Sequence, residues 1–376
     1  MNSAEYKVEL RIDGTLVGDI RSIAQNLNWS RYRTNYGVDS INFTLNDQVF
    51  AKWCEEHNTT INTILKPYAL DCRIIRNGEA VAGGFLATMP GYTPKNASAE
   101  LAMRFDGYLN LLDGVYLAPT PLATMRAELM IQGWITAAET RATTAGKGFG
   151  FTIDSTHTTQ LATIQRTYDC YKTIKERITQ MTDNVDGAGI FDVIFNPDRS
   201  YFITNQLGRD ITTWQLYYPP KIAGQSASTI SAPEVQGFAS HVICLGAGET
   251  SSDPAKSTVI TSEATNAEAV QEFGYCELLT QYSSISRQST LDSHCAADLA
   301  EASNVLWQPE ITLMGSQTPP SPTAEYGLWL GDTIYLENEV DPTGQTSGWM
   351  QVQAIEVNVS AAGGETIRPT LERIPE

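Results

Sequence analysis

Apolar and polar residues alternate along the first 117 residues, a pattern typical of strands that bury one face. The alternation runs through residues 6–12, 41–45, 70–75 and 101–105. Asn77-Gly78 separates the third segment from another apolar run. Because Asn and Gly tolerate the positive φ that a tight hairpin requires, this dipeptide predicts a short turn. The N-terminal part of the chain is therefore expected to be β-rich.

Helical spacing interrupts this pattern in four places. One helix is expected after a cap at Asn46 or Asp47, and others after Pro121, Asp169 and Thr290. The stripes expected on one face of each are Phe50, Trp53, Cys54 and His57; Leu122, Met125 and Leu129; Tyr171, Ile174, Ile178 and Met181; and Leu291, Cys295, Leu299 and Ala302. Because His57 lies on such a stripe, we expect it to pack rather than to catalyse.

Strand-like segments return in the second half of the chain. They cover residues 190–195, 200–204, 211–221, 238–245, 328–336, 349–359 and 366–373. Two further stretches, the polar 247–265 and the proline-rich 317–327, are expected to be loops or linkers. No fixed-period repeat is visible, so a solenoid is not indicated.

The composition is that of a folded protein with several domains. Of its 376 residues, 42% are apolar and 18% are charged, and a domain usually holds roughly 100–200 residues. The formal net charge of −18 argues against a surface that binds nucleic-acid phosphates. Residues 1–221 carry 21 cations and 23 acids, whereas residues 222–376 carry 4 cations and 20 acids. The excess negative charge therefore belongs to the C-terminal part.

Signals for membranes, export and metals are missing from the sequence. The apolar runs fall short of the roughly 18 residues that a spanning helix needs, and the first residues carry charge throughout. We therefore expect no membrane span and no signal peptide. The six cysteines, at positions 54, 72, 170, 244, 276 and 295, form no Cys-x-x-Cys pair. This favours reduced, buried thiols over a zinc or redox site.

Motifs of known catalytic sites are also missing. The histidines at 57, 157, 241 and 294 form no His-Glu-x-x-His helix, and no Gly-x-Ser-x-Gly elbow occurs. The glycines of residues 146–151 lack the frame of a phosphate-binding loop, and residues 183–187 lack the ligand spacing of a calcium loop. We expect no catalytic residue, no cofactor and no metal.

The order of segments resembles that of a known family. The stretches RNGEAVAGGFLATMPGY (76–92) and AMRFDGYLNLLDGVYL (102–117) look like the closing strands of a first barrel. Residues 169–218 resemble the middle of the same proteins, and residues 237–249, 326–340 and 348–372 resemble a second barrel, in which Gly331-Asp332 opens a strand. The family is that of siphophage tail-tip hubs, also called tail-associated proteins, with contractile-phage baseplate hubs and injection-machine spikes as cousins.

The resemblance implies a mainly β fold with α+β insertions, made of two tail-tube-like β-barrels plus two smaller α+β elements. Transferred to this chain, residues 1–117 would form the first barrel and residues 118–204 an α+β module. Residues 205–250 and 311–376 would together form a discontinuous second barrel, and residues 251–310 an inserted loop–helix element.

The resemblance further implies a structural hub, not an enzyme. Three copies would form a pseudo-sixfold ring that adapts to and closes the hexameric tail tube and organises the tip for host attachment and DNA delivery. The implied partners are two further copies, distal tail or tail-tube proteins, the tape-measure protein and receptor-binding or fibre proteins, with DNA only as passing cargo. The hub would be assembled in the host cytoplasm and reside in the virion.

Two other classes of function stay open. One is a tail-associated cell-wall hydrolase, which would need a catalytic constellation that the motifs do not supply. The other is a carbohydrate-binding module, for which the 7 tryptophans and 16 tyrosines could provide stacking surfaces. A trimer in solution would favour the hub, and a monomer would favour either alternative.

A channel for DNA gives the acidic C-terminal part an expected role. An acidic wall repels phosphates, whereas a basic wall would hold them. The acids expected to face the lumen or its mouth are Glu234, Glu268, Glu272, Glu337 and Glu339. The alternative is that these side chains coat the outer surface and keep the protein soluble.

Overall fold

The computed structural model describes residues 4–95, 98–168, 171–182, 190–221, 226–231, 238–248, 258–283, 285–303, 309–341 and 346–374. The chain divides into two compact units. The larger unit consists of Met1–Ala232 and Gln308–Glu376, and the smaller unit consists of Pro233–Trp307. Each unit has its own hydrophobic core, because no buried cluster contains residues of both.

The N-terminal strands of the larger unit form a contiguous sheet in the order β3-β4-β8-β6-β5-β1-β2, with β7 added beside β8. These strands are β1 (Tyr6–Ile12), β2 (Thr15–Asp19), β3 (Gln25–Tyr32), β4 (Ser40–Asn46), β5 (Leu70–Arg76), β6 (Glu79–Leu86), β7 (Gly91–Lys95) and β8 (Ser98–Asp106). The alternation in the sequence explains the core: in the register of β1 with β5, Val8 pairs with Ile74 and Leu10 with Cys72, and all four are fully buried.

The hairpin and the first helix form as the sequence predicts. Asn77 and Gly78 adopt φ values of 48° and 86° between β5 and β6. Asn46 caps helix α1 (Asp47–Glu56), since its side chain accepts the backbone N–H groups of the first turn. His57 follows the last turn, and its ring stacks on Trp53 at 4.0 Å between centroids. The short helix α2 (Ile61–Ile64) leads into β5.

An α+β module follows a 3₁₀ turn at Tyr108–Gly114. Its elements are β9 (Tyr116–Leu117), β10 (Thr120–Arg126), α3 (Ala127–Thr144), β11 (Thr152–Ile153), β12 (Thr163–Tyr168), β13 (Lys172–Thr173), α4 (Ile174–Thr182), β14 (Asp192–Phe195) and β15 (Ser200–Thr204). Strand β10 pairs with β12, and β14 pairs with β15. The core of the module collects Trp134, Ile135, Ile178, Phe191 and Ile203.

Two helices of the module begin later than the sequence predicts. The segment that begins at Pro121 is strand β10, and the helix starts only at Ala127, because residues 120–126 pair with β12. Met125 and Leu129 are therefore about two-fifths exposed instead of forming a buried stripe. In the second helix, Ile174, Ile178 and Met181 are buried as predicted, but Tyr171 precedes α4 and is 67% exposed. Asp169 and the turn at 183–187 lie outside the described residues.

The remaining strands and helices are β16 (Asp210–Tyr218), β17 (Thr229–Ser231), β18 (His241–Leu245), β19 (Thr261–Thr265), α5 (Ala267–Phe273), β20 (Glu277–Gln281), α6 (Gln288–Ser303), β21 (Glu310–Met314), β22 (Thr333–Asn338), β23 (Gly348–Val359) and β24 (Glu365–Arg373). Strands β16, β22, β23, β24, β21 and β17 pair in that order and form a second group in the larger unit. The prediction of a strand from 328 is early by five residues, since β22 begins at Thr333.

Hydrogen bonds also connect the two ends of this second group. The segment 226–231 bridges to β16 through Ala227 N–H and Tyr217 O at 3.0 Å, and to β21 through Ser228 N–H and Thr312 O at 2.8 Å. Six strands are thus linked in a ring, since β17 lies within this segment.

Strand β23 belongs to both strand groups. Near its start it pairs with β22, where Gln351 lies opposite Thr333, and towards its end it pairs with β3, where Val357 lies opposite Trp29. All of these strands therefore form one 14-stranded sheet. The predicted mainly β fold class with small α elements is confirmed.

The smaller unit is a three-stranded sheet covered on one face by α6. Strand β18 lies in the centre, antiparallel to β19 and parallel to β20. Its Val242 and Cys244 pack against Leu291 and Cys295 of the helix. The ends of the unit meet, since the N–H of Ala239 donates to the carbonyl of Ala302 at 3.0 Å.

Several expected boundaries shift in the structure. We expected residues 205–250 to belong with 311–376; β16 does pair with β22, but β18 lies in the sheet of the smaller unit, because α6 covers its apolar face. The expected polar loop 247–265 ends in strand β19. Thr290 is inside α6 rather than its cap, since the helix starts at Gln288.

The proline-rich stretch 317–327 is part of the larger unit and is packed within it instead of linking domains loosely. Thr318 is fully buried, Ser321 is 4% exposed, and Pro320 forms a bridge with Leu328. Among the described helices, none is long and apolar enough to cross a membrane.

Candidate functional site

Four of the five expected lumen acids lie within the described residues. Glu268 lies in the first turn of α5 and is exposed, and Glu272 lies in the same helix of the smaller unit. Glu337 and Glu339 lie in and just after β22 of the larger unit. Glu234 is outside the described residues. The acids thus divide between the two units.

Glu337 and Glu339 share one cation. The two-residue period of β22 places both carboxylates on one side, where the Nζ of Lys221 lies 3.2 Å from Glu337 Oε1 and 2.6 Å from Glu339 Oε1. Lys221 also lies 5.2 Å from the centre of the Tyr217 ring. Hydrogen bonds with Glu339 and Glu337 raise the pKa of Lys221. This corner therefore has a net charge of about −1 instead of −2 at neutral pH.

A buried ion pair connects strands β5 and β24 of the large sheet. Arg76 donates from Nε to Glu365 Oε1 at 2.6 Å and from Nη2 to Glu365 Oε2 at 2.8 Å. The hydroxyl of Tyr6 donates to the same carboxylate. Burial, followed by the charge of Glu365, raises the pKa of Tyr6. Because a buried charge is costly unless it is paired, these three side chains depend on each other.

A second buried pair attaches the α+β module to the sheet. Arg33, just after β3, donates from Nε and Nη2 to Asp192 Oδ2 at 3.0 and 2.8 Å. Its Nη1 donates to Gln353 Oε1 of β23 at 2.9 Å. The backbone N–H of Thr34 donates to the other oxygen of Asp192 at 3.2 Å. One guanidinium thus links β3, β14 and β23.

The module makes another bidentate contact through Arg199, in the turn between β14 and β15. Its Nε and Nη2 donate to the two carboxylate oxygens of Asp71 at 3.0 and 2.7 Å. Asp71 is 2% exposed and lies in β5. Such fork-to-fork geometry fixes orientation as well as distance, so the turn is held in one position against the sheet.

The Gly331-Asp332 dipeptide provides the carboxylate that binds a further arginine. Asp332 accepts from Arg209 Nε at 3.1 Å and from the backbone N–H of Trp329 at 2.8 Å. Arg209 also donates to the carbonyl of Gly327 at 2.9 Å. Burial raises the pKa of Asp332, and the hydrogen bond from Arg209 opposes this shift. The dipeptide singled out in the sequence therefore joins the chain before β16 to the start of β22.

None of these four ion pairs was predicted from the sequence, because the partners are far apart in the chain. A signal is nevertheless present. Arg76 shares the inward face of β5 with Cys72 and Ile74, and Glu365 shares the inward face of β24 with Ile367. A charged residue at an inward position of a strand requires a buried counter-charge, although the pattern does not say which one.

Each of the four histidines contacts a different residue. His57 stacks on Trp53, His157 Nδ1 lies 2.6 Å from Asp154 Oδ2, His241 Nδ1 lies 2.7 Å from Thr265 Oγ1, and the His294 ring lies 4.4 Å from that of Tyr282. The hydrogen bond with His157 lowers the pKa of Asp154. Within the described ranges, no group of three His, Cys, Asp or Glu residues could hold a metal ion.

Known proteins resemble this chain in structure but not in sequence. No protein-family model and no curated protein sequence matches it. The tail protein of Neisseria meningitidis MC58 superposes with a TM-score of 0.62 at 12% identity, over 98% of this chain and 96% of that one. The 43 kDa tail protein of prophage MuSo2 from Shewanella oneidensis gives 0.61 at 9% identity, over 97% and 98%. Prophage tail protein gp18 of Listeria monocytogenes EGD-e gives 0.54 at 11% identity, over 96% and 94%.

This chain has the fold of prophage tail proteins. The similarity covers more than nine-tenths of both chains in each comparison, so the tail-protein fold is not confined to one strand group. At identities of 9–12%, backbone similarity carries no information about individual side chains. The comparisons therefore carry no information about the arginine–carboxylate pairs or the Lys221 corner of this chain.

Proposed function

We propose that this chain is the structural hub of a phage or prophage tail tip. The observation that supports the proposal is the pair of strand groups joined by β23, within a fold shared over nearly the full length of prophage tail proteins. Because each subunit has two barrel-like strand groups, a trimer has six. Three copies would thereby match a hexameric tail tube.

The proposed hub has a revised domain division. The first barrel covers residues 1–117, and the α+β module covers residues 118–204. The second barrel consists of β16, β17 and β21–β24, and the inserted element is the whole smaller unit. This division follows the hydrogen-bonded register and the two compact units rather than the sequence boundaries expected for the insertion.

In this function the protein acts by assembly and not by catalysis. Its partners are two further copies, the tail-tube or distal tail proteins, the tape-measure protein and receptor-binding or fibre proteins. It is assembled in the host cytoplasm and carried in the virion. The buried arginine–carboxylate pairs support this role, because a regular ring needs subunits whose strands and module keep one relative position.

The acids of residues 222–376 are proposed to face the DNA path or its mouth. Glu268 and Glu339 are exposed and Glu337 is half-buried, while Glu337 and Glu339 share the charge of Lys221. A negatively charged wall would repel the phosphates of the DNA and let the DNA slide along it. Mapping these side chains in a structure of the assembled ring tests the idea, and acids on the outer surface around an uncharged or basic lumen would contradict it.

The hub itself is tested by solution mass and by electron microscopy of the purified protein. We expect a trimer that presents a ring with six lobes. A monomer at micromolar concentration would contradict the proposal. Release of fragments from purified peptidoglycan, or retention on a polysaccharide matrix, would instead favour a cell-wall hydrolase or a carbohydrate-binding module.

A further inference from the structure

Two cysteines meet where the sheet of the smaller unit contacts its helix. Cys244 lies on β18 and Cys295 on α6, and neither has exposed surface. Cys295 Sγ lies 3.4 Å from the carbonyl oxygens of both Val242 and Ser262. Because Ser262 is the register partner of Cys244, Cys295 lies directly over the strand pair that contains Cys244. The two thiols therefore belong to the same small core between β18 and α6.

A polar cluster holds the Cys244 thiol in place. Cys244 Sγ lies 3.0 Å from Thr280 Oγ1 and 3.6 Å from Asp298 Oδ2. Asp298 also accepts hydrogen bonds from Thr280 at 2.8 Å and from the hydroxyl of Tyr282 at 2.7 Å. Burial, with Cys295 and Asp298 as additional causes, raises the pKa of Cys244 to about 12. Burial above all, with the charge of Asp298 as a smaller cause, thus keeps this thiol protonated and slow to react at neutral pH.

We propose that Cys244 and Cys295 are a disulfide-forming pair that links β18 to α6 when the protein meets an oxidising low-molecular-weight disulfide. One protein thiolate attacks a sulfur of the small disulfide and releases one small thiolate, which gives a mixed disulfide. The second protein thiolate then attacks the protein sulfur of that mixed disulfide and releases the second small thiolate. The protein pair loses two electrons and two protons, and the small disulfide gains them as two thiols.

The link would constrain most of the smaller unit. Its chain between β18 and α6 includes β19, α5 and β20, and a cross-link that closes a long loop restricts the unfolded chain. The pair is reduced during synthesis in a reducing cytoplasm and becomes a covalent clamp in oxidising surroundings. The proposal does not depend on the hub function, since every folded copy carries the pair.

The test is refolding of the full-length protein from urea in a buffer of reduced and oxidised glutathione, which removes burial as a barrier to the oxidant. Trypsin cleaves after Lys221, Lys256 and Arg287, so Cys244, Cys276 and Cys295 fall in three different peptides. We expect one cross-linked pair that contains Cys244 and Cys295. We also expect the melting temperature of the smaller unit to rise by about 10 °C relative to the reduced protein.

Matched variants make the result specific. C244S and C295S should each abolish the cross-link and the shift, whereas C54S, at a buried thiol of the larger unit, and C276S, at an exposed thiol, should leave both unchanged. Cross-links through Cys276, or complete alkylation of Cys244 and Cys295 after refolding, would overturn the proposal.

Asp298 supplies a kinetic control on the native protein. D298N keeps a side chain that can bond to Thr280 and Tyr282 but removes the negative charge beside Cys244. The thiolate fraction should rise about tenfold for each unit by which the pKa falls, and because a less basic thiolate is a weaker nucleophile, oxidation of the folded protein should accelerate about threefold per unit. An unchanged or slower rate in D298N would contradict the assigned role of this carboxylate.

Discussion

Arg76 and Glu365, separated by 289 positions in the chain, form a two-pronged ion pair inside the large sheet, with nitrogen–oxygen distances of 2.6 and 2.8 Å. Arg76 ends β5 and Glu365 begins β24, so the pair connects the N-terminal strand group with the last strand of the protein. Tyr6 of β1 binds the same carboxylate. Three distant segments are therefore fixed at one buried point.

Removal of this carboxylate should be strongly destabilising. E365Q leaves the Arg76 guanidinium buried without a counter-charge, and we expect a loss of about 3 kcal/mol in the free energy of unfolding, measured in urea. The control is E56Q, which removes the exposed partner of Lys52 in α1 and should cost at most about 0.5 kcal/mol. Equal losses of unfolding free energy in the two variants would show that the buried pair contributes no more to stability than the exposed one.

Two glycines of similar backbone geometry should respond differently to alanine. Gly78 and Gly208 have φ values of 86° and 88°. A Cβ at Gly78 meets open space, whereas a Cβ at Gly208 would overlap the backbone of Gly331. G78A should cost only the strain of a positive φ, about 1 kcal/mol, and G208A should cost clearly more, because the close approach before β22 must open. Thermal unfolding of both variants tests the difference, and equal melting temperatures would refute it.

The smaller unit should be removable without unfolding the larger one. Ser231 of β17 pairs directly with Glu310 of β21, so the insertion leaves and re-enters at neighbouring positions. Replacement of residues 233–307 by a short glycine–serine turn is expected to leave the urea midpoint of the larger unit unchanged. Circular dichroism and limited proteolysis provide the measurements. An unfolded product would mean that the larger unit needs the insertion.

Alkaline pH should destabilise the protein through its buried tyrosines. Burial raises the pKa of Tyr201 from 10.0 to about 12. The folded-state pKa lies above the unfolded value, so the stabilising contribution is complete below pH 10 and is lost as the pH rises from about 10 to 12. The contribution at this one residue is about 3 kcal/mol.

The matched variant for this effect is Y201F. It removes the ionisable hydroxyl and keeps the ring, so the fall of unfolding free energy between pH 10 and 12 should be shallower than in the unaltered protein. Urea titrations at several pH values, monitored by tyrosinate absorbance, measure this pH dependence of the unfolding free energy. Identical pH profiles would exclude Tyr201 as a contributor.

The local elements could be predicted where one pattern dominated. The alternation of β1 and β5, the Asn77-Gly78 turn and the Asn46 cap depend on neighbouring residues, and all three form as expected. The segment after Pro121 was wrongly predicted to be a helix, because its residues have acceptable helical spacing and only the partner strand β12 makes it a strand. The sheet to which β18 belongs could not be predicted either, since its place in the smaller sheet depends on α6.

The sequence by itself determined that this protein is β-rich, divided into several domains and most acidic in its C-terminal part, because strand periodicity, turn residues and charge are local properties of the chain. The tertiary structure decided which strands are neighbours, where the insertion begins and which arginine meets which carboxylate. Pairing between Arg76 and Glu365, or the placement of Cys295 over the strand pair that contains Cys244, requires segments that only folding brings together. Such contacts leave no periodic trace in the sequence, because each partner needs only the right chemistry at one inward-facing position.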